Sequence, residues 1–322
     1  MKADINTIAR ECGVSKATVS RVFTGRASVS TPVKERILKI ARELNYAPQQ
    51  VAAREVIAII VESLDRIGCY DVFRNILLTN LVGEIVRAGF LVNIIEARDI
   101  DKILDSYTKT AVILLNDVEA LKYKEKLNNM KIPLIAVGNI LDNCHSICSD
   151  YYGEIALAID YLVKNGHSKI SIVVDNADIR AGRERQRGYT ETMKKHGLSP
   201  MASYDYHPEK QSLIELMAIM IQDAPTATII CGESISNEAV YALNLLGVKV
   251  PEDLSVISFE KQKSSRWFSP PHTTIDQNVL KIVTESMILI KKILAAHLKE
   301  KIHKRLSCSL VIRNSVKNMN IK

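Results

Sequence analysis

The side chains with the clearest chemical potential lie near the start of the chain, within the seven residues 15–21. Ser15, Lys16, Thr18, Ser20 and Arg21 supply hydroxyl, amine and guanidinium groups. Such groups donate hydrogen bonds to phosphate oxygens, and a guanidinium can form two parallel hydrogen bonds to the O6 and N7 atoms of guanine. These residues can therefore bind a nucleic acid duplex, provided that one element presents them on one side.

The local sequence predicts the elements that would do so. Helical spacing predicts a first helix over residues 5–12, capped by Asp4 and ended by Gly13. Ser15 is expected to cap a second helix over residues 16–23, and Ser30 or Thr31 a third. The residues expected to face inward are Ile5, Ile8, Ala9, Val14, Val19, Val22, Phe23, Ile37, Leu38, Ala41 and Leu44. This is the pattern of a helix-turn-helix, whose second helix enters the major groove of DNA.

The positive charge of the chain is concentrated in this segment. The 322 residues carry a net charge of +7, and residues 1–50 hold nine Lys and Arg against four Asp and Glu. The remaining 272 residues are therefore nearly neutral, at +2. A small basic head on a neutral body favours a polyanionic partner. Composition alone leaves a basic solvated surface as an equal alternative.

Other classes of protein lack support in the sequence. It has no apolar run of about 18 residues and no secretory leader, so we expect a cytoplasmic protein. Cys144, His145 and Cys148 are close together, but a zinc site needs about four ligands and no second Cys/His pair stands near, so we expect free thiols and neither metal nor cofactor. The motifs GxxxxGK[ST], GxSxG and HExxH are absent from the sequence, and we do not expect an enzyme.

Beyond a short polar stretch at residues 49–55, apolar runs alternate with amphipathic segments. This alternation predicts parallel sheets covered on both faces by helices, in two α/β lobes. The predicted strands span residues 56–61, 91–95, 111–115, 133–137, 170–174, 228–231 and 255–259.

The head resembles the lactose/galactose repressor (LacI/GalR) family in two segments, Gly13-Val14-Ser15-x-x-Thr18-Val19-Ser20-Arg21-Val22 and Leu44-Asn45-Tyr46-x-Pro48. The resemblance implies an all-α helix-turn-helix domain at residues 1–48, a shortened hinge at 49–55, and a two-lobed α/β domain similar to periplasmic binding proteins at 56–322. It also implies a homodimer on a near-palindromic, double-stranded operator. Rival interpretations are a ligand-independent DNA-binding regulator and a solute-binding protein of the periplasmic type.

Carried over residue by residue, the resemblance assigns Lys16, Ala17 and Arg21 to base edges. Ser15, Thr18 and Ser20 would bind phosphates or orient the helix. Tyr46 and Arg54 complete the predicted DNA-binding set. Lys16 could reach a base or a phosphate, and the alternative for Arg21 is a solvated surface arginine.

The resemblance continues through Gly166-His167-x-x-Ile170, Gly188-Tyr189, the segment from Val250 to Phe259, and Pro270-Pro271-x-Thr273-Thr274-Ile275. It implies a first lobe of about 56–150 and 277–302 and a second of about 151–276 and 303–316. A small effector, a sugar or a derivative, would bind in the cleft between them. The predicted effector-binding residues are Tyr70, Phe73, Asn139, Asp150, Arg183 and Glu260.

Several of these residues have simpler alternatives. Tyr70 and Phe73 could be core residues, Asp150 could only cap the helix that follows it, and Arg183 could lie on a solvated helix face. Two departures from the family weaken the sugar interpretation. Gly232-Glu233 stands where the family has Asn-Asp, and Glu260 stands in place of aspartate. An unusual, charged or absent effector stays open.

The hinge carries a third departure and a prediction. In the family this segment inserts an apolar residue, usually leucine, into the minor groove and kinks the DNA. Counting from Pro48, Glu55 stands at that position, and its carboxylate is repelled by phosphate. We expect a straighter operator, with Arg54 as a groove or phosphate contact. Measurement of DNA bending by gel electrophoresis tests this, and a kink as large as that of typical family members would contradict it.

Overall fold

The computed structural model describes residues 4–24, 29–44, 46, 55–65, 71–102, 108–259, 264–295, 298 and 300–320. The described part of the head contains three helices, α1 (Ile5–Glu11), α2 (Lys16–Thr24) and α3 (Thr31–Glu43). Their bounds agree with the prediction to within one residue because the end signals are local. The Asp4 carboxylate accepts from the Thr7 amide at 2.8 Å, and the Ser15 hydroxyl accepts from the Thr18 amide at 3.1 Å.

A small apolar core holds the three helices together. Ile8, Val19 and Ile37 are fully buried at its centre. The prediction that Leu44 is buried is wrong, since 38% of it is exposed. Helix α3 ends just before Leu44, and the chain then returns Tyr46 to the core, where its ring meets that of Phe23 edge to face.

The body contains two six-stranded sheets among the described residues. The strands of the first sheet are β1 (Val56–Val61), β2 (Leu91–Glu96), β3 (Thr108–Leu114), β4 (Leu134–Val137), β5 (His145–Ser149) and β11 (His303–Leu306). The strands of the second are β6 (Ile170–Asp175), β7 (Ser203–Tyr206), β8 (Ala227–Cys231), β9 (Ser255–Phe259), β10 (Thr273–Asp276) and β12 (Ser309–Val311). Their spatial orders are β11-β5-β4-β3-β1-β2 and β12-β10-β9-β8-β6-β7. Of the strand pairs that the described residues form, all are parallel except β10 with β12.

Helices cover both faces of each sheet, as the alternating pattern predicts. The helices of the body are α4 (Val72–Arg87), α5 (Asp117–Lys122), α6 (Lys124–Asn128), α7 (Tyr151–Lys164), α8 (Arg180–Lys195), α9 (Leu213–Gln222), α10 (Glu233–Leu245) and α11 (Val279–Ala295). In β1, Ile57 and Ile59 pack on one face while Ala58 and Ile60 pack on the other. This alternation lets one strand contribute to two cores. None of the described helices is both long and apolar enough to cross a membrane.

The chain passes between the two sheets three times in the described residues, after β5, after β10 and after β11. The first two crossings agree with the lobe boundaries predicted from the sequence. The third comes later, because residues 303–306 pair in parallel with β5 in the first sheet instead of belonging to the second lobe. This strand reads His-Lys-Arg-Leu and lies at a sheet edge, where charged side chains are tolerated and the apolar alternation of a central strand is absent.

Helices α7 and α8 approach each other closely, and a glycine permits the approach. A Cβ added to Gly188 would lie 2.7 Å from the backbone oxygen of Tyr152. A Cβ at Gly83, in α4, would meet only the far end of the Arg87 side chain, at 3.1 Å. The two glycines therefore differ in what an added methyl group displaces.

We expect Gly188→Ala to lower the free energy of unfolding by about 1–3 kcal/mol, because two packed helices must separate. Gly83→Ala is the matched control, and it should stabilise its helix by roughly 0.5–1 kcal/mol. Urea unfolding followed by circular dichroism measures both. Equal effects of the two substitutions would contradict the close packing at Gly188.

Candidate nucleic-acid interface and ligand cleft

Helix α2 presents the predicted polar set on one exposed side. Successive residues of a helix are rotated by about 100°, so Lys16, Ala17, Ser20 and Arg21 fall within an arc of roughly 140°. All four are exposed, and Val19 is buried on the opposite side of the helix. The structure therefore brings together the side chains that the sequence selected as a duplex-reading group.

The first turn of α2 is shaped by its own hydroxyl groups. Ser15 and Thr18 share a hydrogen bond of 2.9 Å between their side-chain oxygens. The exposed Ser15 and the half-buried Thr18 thus hold the start of the helix in place. The positive end of the helix dipole and its free amide groups favour a phosphate at this position.

The two remaining predicted DNA contacts have different outcomes. Tyr46 lies in the core of the head with 7% of its surface exposed, packed on Phe23, so its ring supports the helices. Arg54 lies outside the described residues, as do the other hinge residues from 49 to 53. Glu55 is described and is exposed.

A cleft with a volume of about 350 Å³ separates the two lobes of the body. Its walls are formed by residues that follow the carboxyl ends of strands, where ligands bind in α/β sheets: Leu115 and Asn116 after β3, Gly138 and Asn139 after β4, Asn176 after β6, and Gly232 after β8. A cleft of this size and position suits one small molecule.

A buried arginine forms the polar floor of this cleft. Arg185, on α8, donates from its Nε to the Glu154 carboxylate at 2.6 Å. Its guanidinium lies against the rings of Tyr151 and Phe259, at 5.3 and 4.7 Å from their centroids. Glu154 also accepts from Gln277 at 2.9 Å. Burial raises the pKa of Glu154, while the arginine and these hydrogen bonds act to lower it.

Arg183 is the arginine predicted from the sequence to bind the effector, but the structure places it outside the lining of the cleft. About half of the Arg183 side chain is exposed. It pairs with Asp117 of the first lobe and with the backbone oxygen of Asp178. Helical spacing could have identified Arg185, because it shares the buried face of α8 with Gly188, Tyr189 and Thr192.

Of the other predicted effector residues, Phe73 and Asn139 line the cleft. The Asn139 side chain is buried and accepts from the Ile140 amide at 2.8 Å. Asp150 caps α7 by accepting from the Gly153 amide at 3.1 Å, which is the simpler alternative raised from the sequence. Tyr70 and Glu260 lie outside the described residues.

Acidic groups surround the cleft from both sides. In the first lobe, Arg74 is held by Asp71 and Glu119, with Nη2 donating to Glu119 at 3.0 Å. In the second lobe, burial raises the pKa of Asp175 to about 6. The Arg185 charge acts to lower the pKa of Asp175, and the Asp71 carboxylate acts to raise it further.

Asp117 joins the two lobes directly. The first residue before α8, Ile179, offers no side-chain cap, and the Asp117 carboxylate of the first lobe accepts from the Arg180 amide at 2.7 Å in its place. Burial acts to raise the pKa of Asp117, but this bond and the Arg183 side chain outweigh it and lower the pKa. Asp117 thus caps a helix of the opposite lobe and holds the cleft edges together.

The cysteines and the histidine considered from the sequence as metal ligands lie on or next to β5, where each has its own surroundings. Cys144 and Cys148 are buried, and burial raises the pKa of both thiols. His145 accepts through Nδ1 from the Ile302 amide at 3.2 Å. In the part of the chain that the structure describes, no group of three or more His, Cys, Asp or Glu could hold a metal ion.

Comparison with known families gives two matches. The family described as "Bacterial regulatory proteins, lacI family" matches residues 4–49. The family described as "Periplasmic binding protein-like domain" matches residues 159–316. Together they confirm the predicted helix-turn-helix head and the two-lobed α/β body.

Two similar proteins match nearly the whole length of the chain. The chain is 28% identical over 342 residues to the HTH-type transcriptional repressor PurR of Pasteurella multocida, and the match covers 98% of this chain and 99% of the relative. It is 26% identical over 346 residues to the protein of the same name in Vibrio vulnificus, covering 99% and 100%.

Solved structures share the fold. The Lac repressor dimer bound to operator and the anti-inducer ONPF has a TM-score of 0.70 at 20% identity, covering 98% of this chain and 100% of that one. The complex of the transcriptional regulator CelR with cellobiose has a TM-score of 0.70 at 20% identity, covering 97% and 99%.

The raised pKa of Asp175 predicts a pH-dependent stability. Because its pKa in the folded protein, about 6, exceeds the ordinary 3.8, the charged form destabilises the fold, and this cost develops as pH rises from about 4 through 6. Asp175→Asn should therefore raise the free energy of unfolding at pH 7.5 by on the order of 3 kcal/mol, and the gain should vanish below about pH 4.

Urea unfolding at several pH values measures this difference. Asp178→Asn is the control, since 74% of that side chain is exposed, and it should change stability by less than about 0.5 kcal/mol. A gain from Asp175→Asn that does not depend on pH would contradict the assignment.

Proposed function

We propose that the chain is a bacterial regulatory protein of the lacI family, whose model matches residues 4–49, and that it is a transcriptional repressor that binds a specific operator as a homodimer. A small molecule in the inter-lobe cleft would set the affinity for the operator. The single observation that carries the proposal is the exposed face of α2, with Lys16, Ala17, Ser20 and Arg21 on one side. We propose repression, and not activation, because the similar PurR proteins are named transcriptional repressors.

The reading face suits the major groove. The Arg21 guanidinium can form two hydrogen bonds to a guanine, a contact worth about 1–3 kcal/mol of discrimination. Ala17 is short and apolar, which fits the methyl group of thymine. Lys16 lies at the start of the helix, within reach of a base or a phosphate, while Ser15 and Thr18 position that turn.

Two heads in one dimer would read two half-sites, which makes the operator near-palindromic. The net charge of +5 over residues 1–50 would displace counterions from DNA, so binding should weaken steeply as salt is raised. Regulation by this route places the protein where the chromosome is, in the cytoplasm.

The effector proposed for the cleft is a small polar molecule, a carbohydrate or a derivative of one. Its hydroxyl or anionic groups would meet Arg185 and Asn139, and the Phe73 ring would cover an apolar face of the molecule. The cellobiose complex among the similar structures supports carbohydrates as the first class to try. The effector changes operator affinity only if it binds the DNA-competent and incompetent states unequally.

Selection of bound duplexes from a random pool tests the DNA-reading surface. Wild-type protein should enrich a symmetric site, and Arg21→Ala should reduce the preference for that site over scrambled duplex by about tenfold or more, since a base contact is lost. Arg10→Ala is the matched control, because that exposed arginine lies on α1 outside the reading face and should leave the preference intact. A preference that survives Arg21→Ala would overturn the proposed surface.

The same selection, repeated with candidate carbohydrates, tests the effector. A sugar that shifts operator affinity in wild type should lose its effect in Arg185→Lys. The lysine keeps a positive charge beside Glu154 but lacks the planar guanidinium, which can donate two parallel hydrogen bonds. The enriched site itself should not change in that variant. An effector response unaltered by Arg185→Lys would contradict the role of this cleft.

A further inference from the structure

A second cavity lies between the first lobe and Arg180 at the start of α8, and it shares Asp117 with the cleft. Its volume is about 430 Å³. The floor is formed by Ile113, Leu127, Met130, Ile140 and Cys144, which belong to or adjoin the apolar core. The size lies within the range of small-molecule sites, and the floor is as apolar as such sites require.

The rim of this cavity has an excess of positive charge. Lys124, Lys301 and Arg180 all border it. The acids of the rim are Asp142 and Asp117. Asp117 is already engaged by the Arg183 side chain and the Arg180 amide. Asp142 is 85% exposed, and its ion pair with the Arg180 guanidinium, at 3.7 Å, is longer than a hydrogen bond.

Arg180 itself is incompletely satisfied. Its Nε is buried and, within the described residues, has no hydrogen-bond partner. A buried donor without a partner is costly. The Arg180 side chain as a whole is 29% exposed, and its terminal nitrogens can donate charge-assisted hydrogen bonds to an oxygen anion. Arg180 thus borders a cavity that has an apolar floor and a cationic rim.

We propose that this cavity is a second small-molecule site, distinct from the inter-lobe cleft, and that it takes a compact apolar carboxylate such as an aromatic acid. The apolar body occupies the floor over Leu127 and Met130. The carboxylate accepts from Arg180, with Lys124 and Lys301 adding attraction from the rim. A sugar fits poorly here, since its hydroxyl groups would face an apolar floor without partners.

Occupation of this site acts on the cleft through Asp117, which lines both cavities. A ligand that bridges Arg180 to the first lobe adds a second tie beside the Asp117 cap of α8. It therefore favours the arrangement of the lobes in which the Asp117 cap of α8 is formed. By linkage, a carboxylate bound here and an effector that prefers this arrangement each raise the affinity for the other.

Calorimetric titration of the full chain tests the site with naphthalene-2-carboxylate and its neutral analogue, 2-naphthalenemethanol. The carboxylate should bind at least about tenfold more tightly than the alcohol, because only it pairs with the guanidinium. Arg180→Gln should remove this difference. Arg187→Gln is the matched control on the same helix, with a side chain 56% exposed outside the cavity, and should preserve it.

Location is checked by ¹³C-methyl labelling of methionine. The Met130 methyl resonance should move on addition of the carboxylate, while those of Met217 and Met220, buried in the second lobe, should not. Arg185→Lys should leave the titration unchanged, which separates this site from the proposed effector cleft. Equal binding of acid and alcohol, full affinity in Arg180→Gln, a stationary Met130 signal, or no binding at millimolar probe would each overturn the proposal.

Discussion

The buried pair of Arg185 and Glu154 is the interaction on which the second lobe and the cleft both depend. Moving two opposite charges out of water costs several kcal/mol per ion, and their attraction offsets this only with good geometry and further hydrogen bonds. Here those conditions are met by a 2.6 Å contact, by Gln277 on the second oxygen of Glu154, and by two aromatic rings against the guanidinium. Because Glu154 lies on α7, Arg185 on α8 and Gln277 at a crossing between lobes, the pair joins three elements at the floor of the cleft.

This arrangement links recognition to architecture. An arginine held rigidly by a carboxylate behind it presents its donor groups to a ligand with little loss of side-chain entropy. The same rigidity depends on the close approach of α7 and α8, which the glycine at position 188 permits. The floor of the cleft is thus assembled from long-range contacts within the second lobe, whereas the exposed face of α2 is held in place by contacts within some forty residues of the head.

This difference explains which features were predictable. The helices of the head follow from local caps at Asp4 and Ser15, and the central strands follow from their apolar runs. The strands β5, β7, β10, β11 and β12 were missed because their sequences are polar or mixed and acquire strand structure only through pairing. Arg183 was chosen by its distance from Gly188, while the pairing of Arg185 with Glu154 depends on how α8 meets α7, which no local pattern encodes. The Asp117 cap joins residues that are 63 positions apart, so it could not be predicted without the fold.

The three crossings between the sheets have a mechanical consequence. The segments around Ser149, Gln277 and Ser307 run side by side, with the Ser149 hydroxyl donating to the Gln277 oxygen at 3.3 Å and the Asn278 side chain donating to the Ser307 oxygen at 3.4 Å. A single linker would let one lobe twist and slide freely against the other. Three adjacent linkers that are hydrogen-bonded to one another oppose twisting and allow bending about one axis, so they form a hinge. A molecule that binds between the lobes therefore moves them relative to each other by rotation about this one axis.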